Sequence, residues 1–248
     1  MSSTILELNS VTKRFGGIVA DNNVSLSIKQ GEIVGLVGPN GCGKTTLYNC
    51  ITGFFPPSEG KIYFFEEDIT GKKAYTICQK GIARTFQLIK ILPRLTVLEN
   101  VMAGAFNRTN STKEARFIAE KTLEFVNLPD LIKMKNSYAE NLTTVNKKML
   151  EIIRAFATKP KLIMLDEPMA GLNSSEIKKA LNIILKLRDS GITVMIIEHI
   201  MEVIMNISDR VIVMVAGKKL TEGLPNEVCM NEQVIKAYLG DQFNVKNK

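Results

Sequence analysis

The sequence predicts a single α/β domain: a mostly parallel sheet flanked by helices, with an antiparallel β-subdomain near the amino terminus and a helical insertion in the middle. Three observations predict it. Strand-like apolar segments crowd the first third of the chain, helical periodicity fills residues 97–126, and short apolar runs alternate with helices after Lys161.

Taken in order, residues 5–11, 24–28, 33–37 and 61–64 are apolar or alternating, and Gly and Pro interrupt them where turns belong. From 97 to 126, apolar residues recur at three- and four-residue spacing among Lys, Glu and Arg, and the pattern resumes over 147–157. Then come a strand at 162–165, a helix at 174–189, a strand at 193–197, a short helix at 200–206 and a strand at 211–215. That alternation is the pattern of parallel strands joined by crossover helices. With no internal repeat, low-complexity tract or long linker, residues 1–248 read as one domain, its core formed by 1–87 and 149–248 and its insertion by 88–148.

Composition narrows the class. A content of 45% hydrophobic residues in 248 suffices for a buried core and excludes disorder as the main state. The net charge of +7 comes from lysines spread along the chain; it favours anionic ligands or membrane surfaces only weakly. Cys42, Cys50, Cys78 and Cys229 make no C-x-x-C pair and no metal spacing with the one histidine, so reduced thiols in a cytosolic setting and no zinc are expected. No signal peptide is expected, and apolar runs such as 193–197 and 211–216 fall far short of the ~20 residues a spanning helix needs. Any membrane connection would run through a partner.

Two motifs carry chemistry. The first is Gly38-Pro39-Asn40-Gly41-Cys42-Gly43-Lys44-Thr45-Thr46, set between the apolar segment 33–37 and a segment, 44–52, able to start a helix. Gly38 and Gly43 let the backbone curl so that successive N–H groups face phosphate oxygens, Lys44 reaches the outer phosphates, and the Thr45 hydroxyl can ligate Mg²⁺. The second is Lys161-Leu162-Ile163-Met164-Leu165-Asp166-Glu167-Pro168, in which an apolar strand delivers two carboxylates to its carboxyl end. Asp166 is suited to the Mg²⁺ shell and Glu167 to polarising the water that attacks the γ-phosphate. Together they predict a chain that binds and hydrolyses ATP.

With both motifs in place, the chain resembles ATP-binding-cassette (ABC) transporter ATPases over nearly its whole length. Residues 82–87, ending Arg84-Thr85-Phe86-Gln87, resemble the family's Q-loop; Ala170-Gly171-Leu172-Asn173 resembles its D-loop, and Ile197-Glu198-His199 its switch region. The resemblance implies that Gln87 senses Mg²⁺ and the transport partner, that His199 contacts the γ-phosphate, and that Phe15 stacks on adenine, a contact of ~1–3 kcal/mol in comparable sites. It implies ATP and Mg²⁺ as ligands, with Thr45, Gln87 and Asp166 around the metal. It also implies a peripheral place on the inner face of the cell membrane, reached through integral-membrane permease subunits, with a solute-binding protein as an indirect partner and no nucleic acid.

Where the family carries Leu-Ser-Gly-Gly-Gln, this chain has Leu142-Thr143-Thr144-Val145-Asn146. Thr143 keeps a hydroxyl able to cap the helix and reach a phosphate, whereas Val145 puts a β-branched side chain where the family uses Gly against the opposite subunit's γ-phosphate. The expectation is an asymmetric pairing with a second, different ABC ATPase chain. Cys42 stands where Ala or Ser is usual, so its alkylation is expected to block ATP binding and ATP to protect it. Ile200 stands where relatives often have Asp.

Among importer ATPases, the segments Lys13-Arg14-Phe15-Gly16-Gly17, Thr52-Gly53-Phe54, 95–101, Ile207-Ser208-Asp209-Arg210 and Ile235-Lys236-Ala237-Tyr238-Leu239-Gly240 resemble those serving branched-chain amino acids, amides or urea. The lipopolysaccharide-export ATPases share several of these segments and are the alternative transporter reading. Soluble ABC ATPases of translation or DNA maintenance use the same chemistry, but they usually carry paired cassettes, coiled-coil arms or zinc insertions, which this sequence lacks.

Overall fold

The computed structural model describes residues 3–239. A long hairpin comes first, β1 (Thr4–Phe15) and β2 (Ile18–Lys29), followed by β3 (Ile33–Val37), α1 (Lys44–Ile51), β4 (Glu59–Phe64) and the short β5 (Glu67–Asp68). Next are α2 (Ala74–Lys80), β6 (Ile82–Arg84), α3 (Val97–Ala105), α4 (Thr112–Val126), α5 (Pro129–Lys133), a 3-10 turn at Ala139–Asn141 and α6 (Thr144–Ala157). The remainder alternates through β7 (Leu162–Asp166), α7 (Ser174–Asp189), β8 (Thr193–Ile197), α8 (Met201–Ile207), β9 (Arg210–Val215), β10 (Lys218–Gly223), α9 (Pro225–Met230) and α10 (Glu232–Leu239).

The chain divides into two units. One comprises the residues up to Lys73 together with those from Met195 onward, and the other Ala74–Val194, with β8 crossing the division. In the first unit, β2-β1-β4-β5 form an antiparallel sheet. Its register is set by apolar pairs: Leu8 lies opposite Leu26 and Ile62, Leu6 opposite Phe64, and Val11 opposite Val24, all of them buried. Each such side chain contributes roughly 1.5–3 kcal/mol on burial, and a one-residue slip would turn the whole set outward. β3 pairs in parallel with β9, on whose other edge β10 lies antiparallel. All five residues of β3 are buried, which is why this segment reads as a continuous apolar run rather than an alternating one. Where β9 begins, the Asp209 carboxylate accepts the Ile33 N–H at 2.8 Å, and the Arg210 guanidinium bonds Glu32 at 2.8 Å and the Ser27 carbonyl at 2.6 Å, so one dipeptide fixes where β3 starts.

In the second unit β6 and β7 are parallel, and the helices are bounded by caps visible in the sequence. A Thr96–Glu99 capping box opens α3, and the fully buried Asn100 bonds the main chain at Leu92, Leu95 and Thr96, securing the approach to that helix. The helical pattern expected over 97–126 is divided into two helices, because α3 stops at Phe106 and Ser111 caps a new start. α4 ends on Asn127 in the left-handed region, φ 55°. An Asn173–Glu176 capping box opens α7. α6 runs through the expected boundary at 148 to Ala157, and the helices of the expected insertion share their compact unit with β6, β7 and α7. Elements that sequence reasoning did not anticipate, such as β6, β10, α2, α9 and α10, are short.

Candidate functional site

Phe15, residues 38–46 and His199 belong to the first unit; Gln87, Thr143, Asp166 and Glu167 belong to the second. In the first, β3 delivers the chain to Gly38 and α1 carries it away from Lys44. Both flanking glycines are required by space as well as by dihedral angle. A Cβ at Gly38 (φ +154°) would lie 2.1 Å from the Met214 carbonyl oxygen, and one at Gly43 (φ +107°) would lie 2.3 Å from Asp21 Oδ1 and 2.6 Å from the Ala20 carbonyl oxygen. The loop is thus pressed against β9 on one side and β2 on the other.

α1 starts with no side-chain cap and no acidic residue in its first turn, which leaves its leading N–H groups to an anion. Lys44, 5% exposed, donates to the carbonyl oxygens of Gly38 at 2.7 Å and Pro39 at 3.0 Å, so carbonyl dipoles hold a buried cation across the loop. Polyphosphate is the chemistry that this cradle fits. Asn40, Gly41 and Thr45 are exposed, and Pro39 and Thr46 are half-buried.

Cys42 is buried, its Sγ 3.7 Å from Lys44 Nζ and turned under Gly38. The packing that tightens the loop also shields the sulfur. Tyr238 of α10, which sequence reasoning treated only as part of a resembling tail, accepts a hydrogen bond from the Gly38 N–H; burial first, and then the nearby Cys42, push its hydroxyl up to about 12. Phe15 is 46% exposed, in a T-shaped pair with Phe55 at 5.2 Å between ring centroids and with the Lys13 ammonium 5.0 Å from its centroid. His199 is exposed at the end of β8, its backbone N–H bonded to the carboxylate of the buried Glu198 at 3.2 Å. Ile200 is the N-cap residue of α8 and makes no side-chain cap, a bond that an Asp there could supply.

In the second unit, the wholly buried β7 ends in Asp166, 1% exposed, whose Oδ2 meets the Arg84 guanidinium at 3.2 Å and whose N–H donates to Thr85 Oγ1 at 3.2 Å. Glu167 follows with φ +49°, a left-handed conformation that costs a non-glycine residue energy. Gln87 Nε2 donates to Glu167 Oε2 at 3.1 Å. Arg84 thus faces Asp166, and Gln87 faces Glu167. Arg84 also lies 4.4 Å over the Phe86 ring.

Thr143 caps α6, its Oγ1 accepting the Asn146 N–H at 3.3 Å. Val145 is half-buried and lines a cavity of about 480 Å³ with Val126, Leu128, Met149 and Ile183. Sequence reasoning missed the charged residues of α6: Lys148, 9% exposed, donates to the Glu167, Pro168 and Ala170 carbonyls, and Glu151, 3% exposed, accepts from Phe86 and Lys90. Their signal was three-residue spacing of charges within an otherwise apolar helix face.

No group of three or more His, Cys, Asp or Glu that could hold a metal ion exists among the described residues. Mg²⁺ does not require one, since it is commonly held by one or two carboxylates plus substrate phosphates; the first unit presents an exposed Thr45 hydroxyl, and the second the Asp166 carboxylate, buried against Arg84.

Residues 22–170 match the family described as ABC transporter. The chain belongs to that family. In this ABC protein, residues 218–244 also match a segment described as branched-chain amino acid ATP-binding cassette transporter. Among curated proteins, it is 39% identical to the high-affinity branched-chain amino acid transport ATP-binding protein BraF of Pseudomonas aeruginosa, over 97% of this chain and 100% of the relative. It is 38% identical to LivG of Escherichia coli, a protein of the same description, with the same coverage. Among solved structures, an ATP-binding cassette of an ABC transporter in its ADP conformation superposes with a TM-score of 0.85 at 35% identity, covering 97% of this chain and all of that one. A dimeric cassette bound to ADP and Pi gives 0.79 at 29% identity over 89% of this chain. Among the described residues, no helix is long and apolar enough to cross a membrane.

Proposed function

We propose that this ABC protein is the ATP-hydrolysing subunit of an importer of branched-chain amino acids or a similarly small solute. The observation that carries the ATP chemistry is the loop itself: two glycines whose Cβ positions are filled by neighbouring strands, an uncapped helix start, and a buried Lys44 held by the loop's own carbonyl dipoles. The solute class is supported by the descriptions of near-full-length relatives at 38–39% identity. Residues 38–46 bind the phosphates, Phe15 stacks on adenine, and Thr45 with Asp166 and Gln87 are the groups that would hold Mg²⁺, which neutralises phosphate charge when bound. Glu167 is the general base and orients the attacking water, with Gln87 placed on its carboxylate; His199 contacts the γ-phosphate.

Residues 88–148 supply the surface that meets integral-membrane permease subunits on the cytoplasmic side, and a solute-binding protein acts through those subunits. Val145 in the signature favours pairing with a second, different ATPase chain, with Thr143 at the other chain's nucleotide. ATP binding closes the pair and hydrolysis reopens it, so that differential affinity for the two nucleotides drives alternating access. Glu167→Gln tests the assignment. It should bind ATP with unchanged affinity while turnover falls by about 10²-fold or more; turnover at the original rate would remove Glu167 as the base.

A further inference from the structure

Lys148, Glu151 and Arg154 recur at three-residue spacing on α6, and that spacing sets them along one side of the helix. Two of them are buried, where charge is tolerated only with partners. All three bond main-chain atoms, and the Glu151 carboxylate also lies within electrostatic reach of Arg154 and Lys148. Lys148 Nζ donates to the carbonyl oxygens of Glu167 at 3.3 Å, Pro168 at 3.5 Å and Ala170 at 2.6 Å. Glu151 Oε1 accepts the N–H groups of Phe86 and Lys90, each at 3.3 Å, and Arg154 donates to the Lys90 carbonyl.

The first grip fixes the turn that begins at Glu167. The second and third fix both ends of the five-residue segment containing Gln87. Between them lies the Gln87–Glu167 hydrogen bond at 3.1 Å. The cleft bounded there by Phe86, Lys148, Glu151, Asp166 and Glu167 has a volume of about 10 Å³, at the lower limit for a single water, so these contacts are direct and the segments have little room to shift.

We propose that Lys148 and Glu151 are positioning residues for ATP hydrolysis: they hold the main chains on which Gln87 and Glu167 ride, so that the placement of α6 sets the orientation of the base. This rests on the reading of Glu167 as the base. It differs from an ordinary packing role in a definite way. A packing residue would alter stability or nucleotide affinity, whereas these two act through one side-chain contact that neither of them makes. Glu151 needs only acceptor oxygens for its task, and Lys148 only donors.

The test uses the full-length chain. Glu151→Ala should speed hydrogen exchange at the Phe86 and Lys90 amides by about tenfold or more, and lower kcat by about tenfold while KM for ATP stays within about twofold. Glu151→Gln, which keeps an acceptor oxygen, should recover most of both, and Lys148→Arg should recover what Lys148→Met loses. In a Gln87→Ala background, Glu151→Ala should cost no more than about a further twofold, because the contact it serves is already gone. The proposal is overturned by unchanged exchange at those two amides, by losses that multiply in the Gln87→Ala background, or by an unchanged kcat despite faster exchange. Should Glu151→Ala not fold, the same exchange and rate readings on Glu151→Gln and Glu151→Asp decide between the same outcomes. Failure of the base assignment is seen separately, as undiminished turnover in Glu167→Gln with the exchange results intact.

Discussion

Asp21 offers the sharpest perturbation. It sits on β2 with no exposed surface, beside the loop glycine Gly43, and neither carboxylate oxygen has a hydrogen-bond partner. Desolvation by burial raises its pKa from 3.8 to about 7. Cys50, buried nearby, is pushed up to about 12, first by its own burial and then by the Asp21 charge. A carboxyl whose folded pKa is raised binds its proton more tightly in the native state than in the unfolded chain. Its stabilising effect is therefore complete below pH ~4 and is lost as pH rises through about 7. At ~1.36 kcal/mol per pKa unit, a rise from 3.8 to about 7 makes that loss about 4 kcal/mol, of which roughly 2.5 kcal/mol falls between pH 5 and 8.

Asp21→Asn removes the titration while keeping the shape. Across pH 5 to 8, the wild type should lose roughly 2.5 kcal/mol relative to the variant, or on the order of 5–10 °C in Tm for a chain of this size. The assay is thermal or urea unfolding followed by circular dichroism at matched ionic strength, and only the difference between the two profiles is read, so that the other titrating groups cancel. Parallel profiles would refute the reasoning. A wild type that gains on the variant as pH rises would refute it more strongly, since that sign requires an Asp21 ionised and paired in the folded state.

Two further predictions concern the loop and the signature. Gly43→Ala should be far worse than Gly41→Ala, although both have positive φ: at Gly41 nothing lies within 4 Å of the new methyl group, so only backbone strain of ~1–2 kcal/mol applies, whereas at Gly43 the methyl group meets Asp21 and the Ala20 carbonyl. ATP binding by titration calorimetry, with melting curves alongside, separates the two, and equal losses would mean that space is not what selects Gly43. Val145→Gly should raise the ATPase rate of the chain assayed without a partner while costing about 1 kcal/mol of stability through lost helix propensity and cavity lining; no gain in rate would remove Val145 from the case for a mixed pair.

The parts of the fold legible in the sequence are those where local chemistry and burial agree. α7 and β3 are found at the residues their patterns give, 174–189 and 33–37, because a capping box opens one and the other is buried at every position. Three residues of β6 and six of α9 give periodicity nothing to count, so those elements emerge only from tertiary pairing. The break between α3 and α4 was legible in principle, as Ser111 followed three residues later by Glu114, but the apolar spacing on either side outweighed it.

The site divides along the same physical line. Gly38, Gly43 and Lys44 stand in one short fixed spacing, because consecutive backbone atoms must face one ligand, and Asp166 and Glu167 are adjacent at the end of one strand; linear motifs can record constraints of both kinds. Arg84 on Asp166 and Gln87 on Glu167 join residues 82 and 80 positions apart, and no local spacing encodes which carboxylate each one meets. Lys148 and Glu151 act on main-chain atoms, which carry no residue identity, so their targets leave no trace in the sequence. The charges themselves are nonetheless visible. A helix that buries Lys and Glu at three-residue spacing must hold something polar, and here the polar objects it holds are the main-chain turns beside Gln87 and Glu167. The same logic applies to Asp21, whose neighbours in β2 give no hint of its burial, because groups that pack against it, Gly43 and Gly217, are distant in sequence, and the absence of a side chain at each permits the close approach.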